Sequence, residues 1–155
     1  MDTTEVDNTA RAISADYDNR PDALIEILHR LQTALGYVPE TAVRTLADVL
    51  NLSRAEVHGV VTFYHDFRNA PAGRHILKLC RAEACQAMGA EALVGVAERR
   101  LGVACGSTTA DGGVTLEPVY CLGLCATAPS AMMDSRLVGR LTPGRLESLL
   151  KSAGA

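Results

Sequence analysis

Cys80-x4-Cys85 and Cys121-x3-Cys125 supply four thiols in two close pairs. The chemistry they suggest is one-electron transfer, because a 2Fe-2S cluster takes two cysteine thiolates on each iron and a plant-type ligand set also begins with a C-x4-C loop. The second pair departs from that pattern. Its surroundings, Cys121-Leu-Gly-Leu-Cys125-Ala-Thr-Ala-Pro129, form a tight run of small residues in which backbone N–H groups can approach sulfur closely. Such donors matter because four thiolates, two ferric ions and two sulfides sum to about −2, a charge that needs compensation where it is partly buried.

Other uses of the cysteines fit the spacing less well. Structural zinc sites usually contain a tight C-x2-C knuckle, which neither pair provides. A secreted disulfide framework is disfavoured by the odd count of five cysteines and by an acidic, polar N-terminus where an apolar signal segment would stand. A redox dithiol of the C-x-x-C type lacks its motif. Cys105, in Gly102-Val-Ala-Cys-Gly106, stands apart from both pairs and is read as a small buried thiol.

The elements that must position the four thiols are of two kinds. Residues 21–68 read as a small helical bundle. Pro21 suits a first helical position; Leu24, Ile27, Leu28, Leu31 and Leu35 follow at helical spacing, and Gly36 ends the run. Pro39 opens a second helix with Val43, Leu46, Ala47 and Leu50, and Ser53-x-x-Glu56 is a capping box for a third. Residues 1–20 are read as a polar tail, and Asn69-Ala-Pro-Ala-Gly73 as the turn-rich start of a second domain over 69–155.

There the grammar becomes α/β. His75–Leu79 is a strand running into Cys80, Glu83 to Leu101 a helix ending at Gly102, and Ser107 to Gly113 a polar turn. Val114–Val119 is a second strand running toward Cys121. Residues 131–138 form a hairpin, and Thr142-Pro143 caps a last helix carrying Leu146, Leu149 and Leu150. Both cysteine pairs thus lie just beyond strand ends, at one rim of a small sheet flanked by helices. On this reading Cys80 and Cys85 serve one iron, Cys121 and Cys125 the other.

The bulk numbers narrow the setting. The 155 residues are 48% hydrophobic and 21% charged with net charge −3, as expected of a globular protein. No apolar run approaches the roughly 20 residues of a membrane span, and the expected address is the cytoplasm. No basic run interleaved with aromatics appears and Trp is absent, so nucleic acid is not an expected partner.

Four separated motifs carry a resemblance: Gly36-Tyr-Val-Pro39, Val57-His-Gly-Val-Val-Thr-Phe-Tyr64, the C-x4-C pair, and the segment from Cys121 to Pro129. Together they resemble the thioredoxin-like 2Fe-2S subunit family of complex I and its relatives, from about residue 21 to the C-terminus. Within it, Cys80-Arg-Ala-Glu-Ala-Cys85-Gln-Ala-Met-Gly89 and Phe63-Tyr-His-Asp-Phe-Arg68 are most similar to the gamma subunits of NAD-dependent molybdenum formate dehydrogenases. The resemblance implies an α/β fold, a small helical bundle followed by a thioredoxin-like 2Fe-2S ferredoxin domain. It also implies Cys80, Cys85, Cys121 and Cys125 as the ligands of one cluster, a neighbouring subunit with FMN and NAD, and a molybdopterin-containing catalytic subunit where formate is oxidised. The chain would be not catalytic alone, and it has no G-x-G-x-x-G fingerprint or P-loop. Respiratory NADH dehydrogenase, NAD-reducing hydrogenase, a free ferredoxin and a zinc-stabilised assembly module are the competing readings.

Further residues invite weighing. His58 and His65 would suit a Rieske-type site, but four cysteines already suffice, so packing or interface roles are expected. Phe63 and Tyr64 are read as core first and interface second. Met88, Met132 and Met133 are read as core fillers, with Met132 or Met133 shielding the cluster. Lys78 and Arg81 are cations near the sulfurs, and Arg81 is expected to raise the potential by favouring the reduced, more negative state.

Overall fold

The computed structural model describes residues 2–154. Two compact units divide the chain at Pro71/Ala72, within the turn-rich segment. The first is built from four α-helices: α1 (Thr3–Ala15), α2 (Leu24–Leu35), α3 (Glu40–Leu50) and α4 (Arg54–Phe63). A short 3-10 turn over Pro21–Ala23 leads into α2, so Pro21 does stand at a helical start. Gly36, at φ 82°, ends α2 in the left-handed region that a side chain would resist. α4 begins with the expected capping box, Ser53 Oγ accepting from the Glu56 N–H while the Glu56 carboxylate accepts from the Ser53 N–H.

The polar tail is a correction. Residues 3–15 form a helix because Val6, Ala10 and Ile13 recur at helical spacing and bury one stripe against the bundle, a pattern diluted by the surrounding acids. Asp7, on this helix, accepts a hydrogen bond from the buried Thr45 hydroxyl at 2.7 Å. The bundle core is Ile27, Leu28, Leu31, Leu46 and Val57, all fully enclosed.

The second unit holds five strands and three helices among the described residues. β1 (His75–Cys80), β2 (Ser107–Thr108), β3 (Val114–Val119), β4 (Ala131–Met133) and β5 (Arg136–Val138) form one sheet in the order β2-β3-β1-β4-β5. β1 and β3 are parallel, joined by a crossover that contains α5 (Glu83–Ala87) and α6 (Ala90–Leu101). β4 pairs antiparallel with β1, β5 turns back on β4, and α7 (Pro143–Ser152) closes the chain. Leu77, Leu79 and Leu116 from the sheet meet Leu93, Val94 and Ala97 of α6 and Leu146, Leu149 and Leu150 of α7 in one apolar core.

The single helix expected over 83–101 is two. Gly89, at φ 84°, separates α5 from α6, and the break leaves Met88 62% exposed rather than in the core. Met133 is buried as expected and Met132 half-buried. The polar stretch from Ser107 includes the two-residue edge strand β2, too short for its alternation to be read. Phe63 is 73% and Tyr64 42% exposed; with Val57 and Val61 already filling the buried stripe of α4, the end of the helix turns outward.

Candidate metal centre

Cys80 is the last residue of β1, and its parallel partner strand β3 ends two residues before Cys121. The parallel register pairs Cys80 with Val119, so the two cysteine loops leave neighbouring strands at the same rim. The first loop is tightly held. The Cys80 N–H donates to Ser130 O at 3.0 Å, the Arg81 N–H to Val119 O at 2.8 Å, and Gln86 Nε2 to Arg81 O at 2.8 Å. Cys85, on α5, faces the buried Ser130 hydroxyl with Sγ and Oγ 3.5 Å apart.

The second loop has a different character. Cys121 holds φ 95°, a conformation rare for a residue with a Cβ and typical of functional turns. The Gly123 N–H then points at Cys121 Sγ at 3.4 Å, and Cys125 Sγ lies 3.6 Å from Cys121 Sγ at the start of a 3-10 turn over Cys125–Thr127. A cis peptide bond joins Ala128 to Pro129. The loop is clamped from below by β5 and its exit, the Arg140 N–H donating to Thr127 O and the Leu141 N–H to Pro129 O at 2.8 Å.

The two pairs differ in exposure. Cys80 and Cys85 are each 2% exposed, while Cys121 and Cys125 are open to solvent. Around the inner pair, Ala90 and the half-buried Ala82, Val119, Leu122 and Ala128 form a small apolar wall.

The electrostatics tie the pairs together. Burial opposes ionisation of Cys80, but the Ala82 N–H, a hydrogen bond from Cys85, and the N–H groups of Cys121 and Leu122 outweigh it and hold the thiol below its ordinary range. Cys125 is pushed up, first by its hydrogen bond to Cys121, then by that neighbour's charge, by burial, and by the charges of Cys85 and Cys80. Cys80 and Cys125 thus each respond to residues of the other loop.

The four thiols stand as two pairs; among the described residues no three His, Cys, Asp or Glu side chains form a compact single-ion site. Two thiol pairs at one rim, with amide N–H groups aimed at sulfur from both loops, fit a 2Fe-2S cluster: paired donors for each iron and oriented dipoles for the net anion. His58 and His65 belong to the helical unit and are exposed. Cys105 is half-buried against the sheet core, where burial raises its pKa, and its N–H donates to Glu98 at 2.9 Å.

The nearby cations are already engaged. Arg81 Nη2 lies 2.8 Å from Glu91 on α6, and Lys78 Nζ lies 3.7 Å from its register partner Glu117. Two features of the site escape sequence reasoning: the buried Ser130 hydroxyl beside Cys85, and the Glu91 partner that offsets Arg81. Both depend on pairings across 45 and 10 residues that no local pattern encodes. Tyr120, next to Cys121 and 65% exposed, and Met88 add large apolar side chains outside the core.

Known proteins resemble the chain in sequence and in fold. The family model described as thioredoxin-like [2Fe-2S] ferredoxin matches residues 10–154. A subunit of the NADH-quinone oxidoreductase of Pseudomonas aeruginosa is 39% identical over 136 residues, 88% of this chain and 82% of that one. The like-named subunit of Escherichia coli strain K12 is 36% identical over 135 residues, 87% and 81% of the two chains. The HndA subunit of the NADP-reducing hydrogenase of Solidesulfovibrio fructosivorans is 33% identical over 127 residues, 82% and 74%. Among solved structures, a chain of an air-oxidised NAD+-reducing [NiFe]-hydrogenase superposes with TM-score 0.72 at 24% identity, over 85% of this chain. That likeness bears on the fold alone, and this chain spans 23% of the hydrogenase chain. With a family match over nearly its whole length and relatives above 30% identity, the chain belongs to the thioredoxin-like [2Fe-2S] ferredoxin family, whose cofactor is one 2Fe-2S cluster.

Proposed function

We propose that Cys80, Cys85, Cys121 and Cys125 hold one 2Fe-2S cluster, and that the chain is an electron-transfer subunit of a cytoplasmic, flavin-linked NAD-dependent oxidoreductase complex. The carrying observation is the convergence of the two cysteine loops on one sheet rim, a buried pair beside an exposed pair, with N–H groups from both loops directed at sulfur. When bound, such a cluster accepts and releases one electron at a time, which complements the two-electron chemistry of a flavin. The chain's own residues supply the rest. β1, β3 and Ser130 fix the inner thiols, the small residues of 121–128 admit amide dipoles to the outer ones, and the apolar wall limits water at the inner pair.

The complex has an FMN- and NAD-binding flavoprotein as neighbour. For the electron donor beyond it, the finer reading is formate, with a molybdopterin-containing subunit; its support is the pair of segments Cys80–Gly89 and Phe63–Arg68. A respiratory quinone-linked complex is the second reading, supported by the 39% identity to a component of an NADH-quinone oxidoreductase.

Anaerobic purification with iron, zinc and acid-labile sulfide analysis tests the site. About two irons with matching sulfide are expected, lost on Ser substitution of any of the four cysteines and kept in Cys105→Ser. About one zinc without sulfide, persisting after anaerobic reconstitution, would sink the electron-transfer reading. The subunits that co-purify under gentle conditions then decide the donor: a molybdopterin chain for formate, membrane chains for quinone reduction, a nickel chain for hydrogen.

A further inference from the structure

The edge of the sheet opposite β2 is open and carries its own chemistry. β4 alternates strictly: the Asp134 N–H donates to Ile76 O at 2.8 Å and the Cys80 N–H to Ser130 O at 3.0 Å, so the even-numbered residues of that segment turn their backbone toward β1. Ala131 and Met133 therefore turn theirs toward β5, where they pair with Val138 and Arg136. Leu137, opposite Met132, is left with its N–H and C=O directed away from the sheet, and its side chain is 50% exposed. An unpaired strand edge is a template for another extended chain.

Between β5 and α7 runs a groove of about 670 Å³, lined among others by Arg136, Leu137, Arg145, Ser148 and Ser152. Arg145 Nη1 donates to the carbonyls of Gly139 and Arg140 at 2.8 and 3.1 Å, which fixes its guanidinium at the groove. Neither Arg136 nor Arg145 has a carboxylate within ion-pair distance among the described residues, whereas Arg20, Arg30, Arg44, Arg54, Arg74 and Arg81 all do. Asp134, two residues before Arg136, is taken by His75 at 3.0 Å. Residues 135–155 carry Arg136, Arg140, Arg145 and Lys151 against Glu147 alone, in a chain of net charge −3.

We propose that this edge and groove form a docking site for an extended, acidic segment of a partner polypeptide, which adds a strand to β5 and sets carboxylates against Arg136 and Arg145. Backbone bonds to Leu137 supply register, and the two guanidiniums supply selectivity. A second copy of this chain fits less well, because its own residues 135–146 hold no carboxylate to set against Arg136 and Arg145. The site lies on a different edge from the strand ends that carry the cysteines, and the inference does not rest on the cofactor reading.

The test places a photocrosslinker in the full chain, as Ser135→p-benzoylphenylalanine, in the cells that make it, and maps the adduct. The expected result is an adduct to an acidic extended segment of another polypeptide. Its yield falls at least about fivefold in an Arg136→Glu, Arg145→Glu background and recovers when the mapped acids are changed to lysine. Arg136→Glu alone serves should the double variant fail to fold, since Arg136 holds no other element in place. A synthetic peptide of the mapped segment should bind the purified full chain more weakly as salt rises. Leu137→Pro, which deletes the outward N–H together with the side chain, should weaken it about fivefold more than Leu137→Ala, which keeps that N–H. Adducts confined to second copies, adducts to segments without acids, no adduct at all, or yields indifferent to charge reversal each overturn the proposal.

Discussion

At the scale of single residues, the cation beside the site behaves differently from what its sequence position suggests. Arg81 follows Cys80 directly, but its guanidinium is committed to Glu91 at 2.8 Å. Removing it should lower the cluster's midpoint by less than about 60 mV, the equivalent of one tenfold change in a one-electron equilibrium. Glu91→Gln should move the midpoint upward, because it leaves the cation uncompensated. Redox titration of the three proteins checks both signs. A second residue-scale prediction concerns Asp134. Burial raises its pKa, but hydrogen bonds from His75 and the Ile76 N–H and the charge of His75 together bring it below the ordinary carboxylate value. A folded pKa below the unfolded value stabilises at pH above the unfolded value near 3.9, and that contribution is lost as pH falls through the folded one. With the side chain 48% exposed the gain is screened to under about 1 kcal/mol. Urea unfolding of wild type against Asp134→Asn should therefore show a gap at neutral pH that closes in acid.

At the scale of elements, the sequence is legible where one pattern governs one element. The apolar spacing of α2, the Ser53-x-x-Glu56 box of α4 and the Thr142-Pro143 start of α7 are local signals, and each stands where the sequence puts it. The polar readings fail where a few buried residues sit among many charged ones, as in α1, or where one glycine interrupts a long helical run, as at Gly89. The two cysteine pairs are plain in the sequence, but the contrast between a buried and an exposed pair is not, because it is set by the parallel pairing of β1 with β3. The connection from β5 to α7 shows how elements support the site. A Cβ added at Gly139 would stand 2.9 Å from Thr127 Cβ and 3.1 Å from its carbonyl oxygen, two residues along from Cys125. Gly139→Ala should cost about 1–3 kcal/mol by overpacking and lower iron occupancy, whereas Ser53→Ala should cost about 1 kcal/mol by loss of the cap and leave iron unchanged. Chemical denaturation with iron analysis separates the two effects.

At the scale of the whole molecule, the chain is two units with separate cores. The apolar cluster of the helical unit runs from Val6 to Phe67, and those of the α/β unit from Leu77 to Ala153. All four thiols and every described hydrogen bond that holds their loops fall within residues 72–154. A chain of residues 72–155 should therefore fold and carry the same iron, sulfide and visible spectrum as the full protein; a polypeptide of that length that folds without iron would refute the independence of the two units. The exposed aromatics Phe63 and Tyr64, edge to face at 5.1 Å, belong to the other unit. Removing residues 1–71 should spare the cofactor and weaken association with neighbouring subunits, as read by co-purification.

The inequality of the two thiol pairs also bears on how the protein is made. Cys80 and Cys85 lie in the floor of the rim, whereas Cys121 and Cys125 stand at its lip. On the proposed ligand set, Cys121 and Cys125 would be the first thiols open to an incoming cluster and Cys80 and Cys85 the second. Maturation would then have a direction: Cys121→Ser or Cys125→Ser should block capture at its outset, while Cys80→Ser or Cys85→Ser should take up iron only transiently in a transfer assay and lose it before purification is complete.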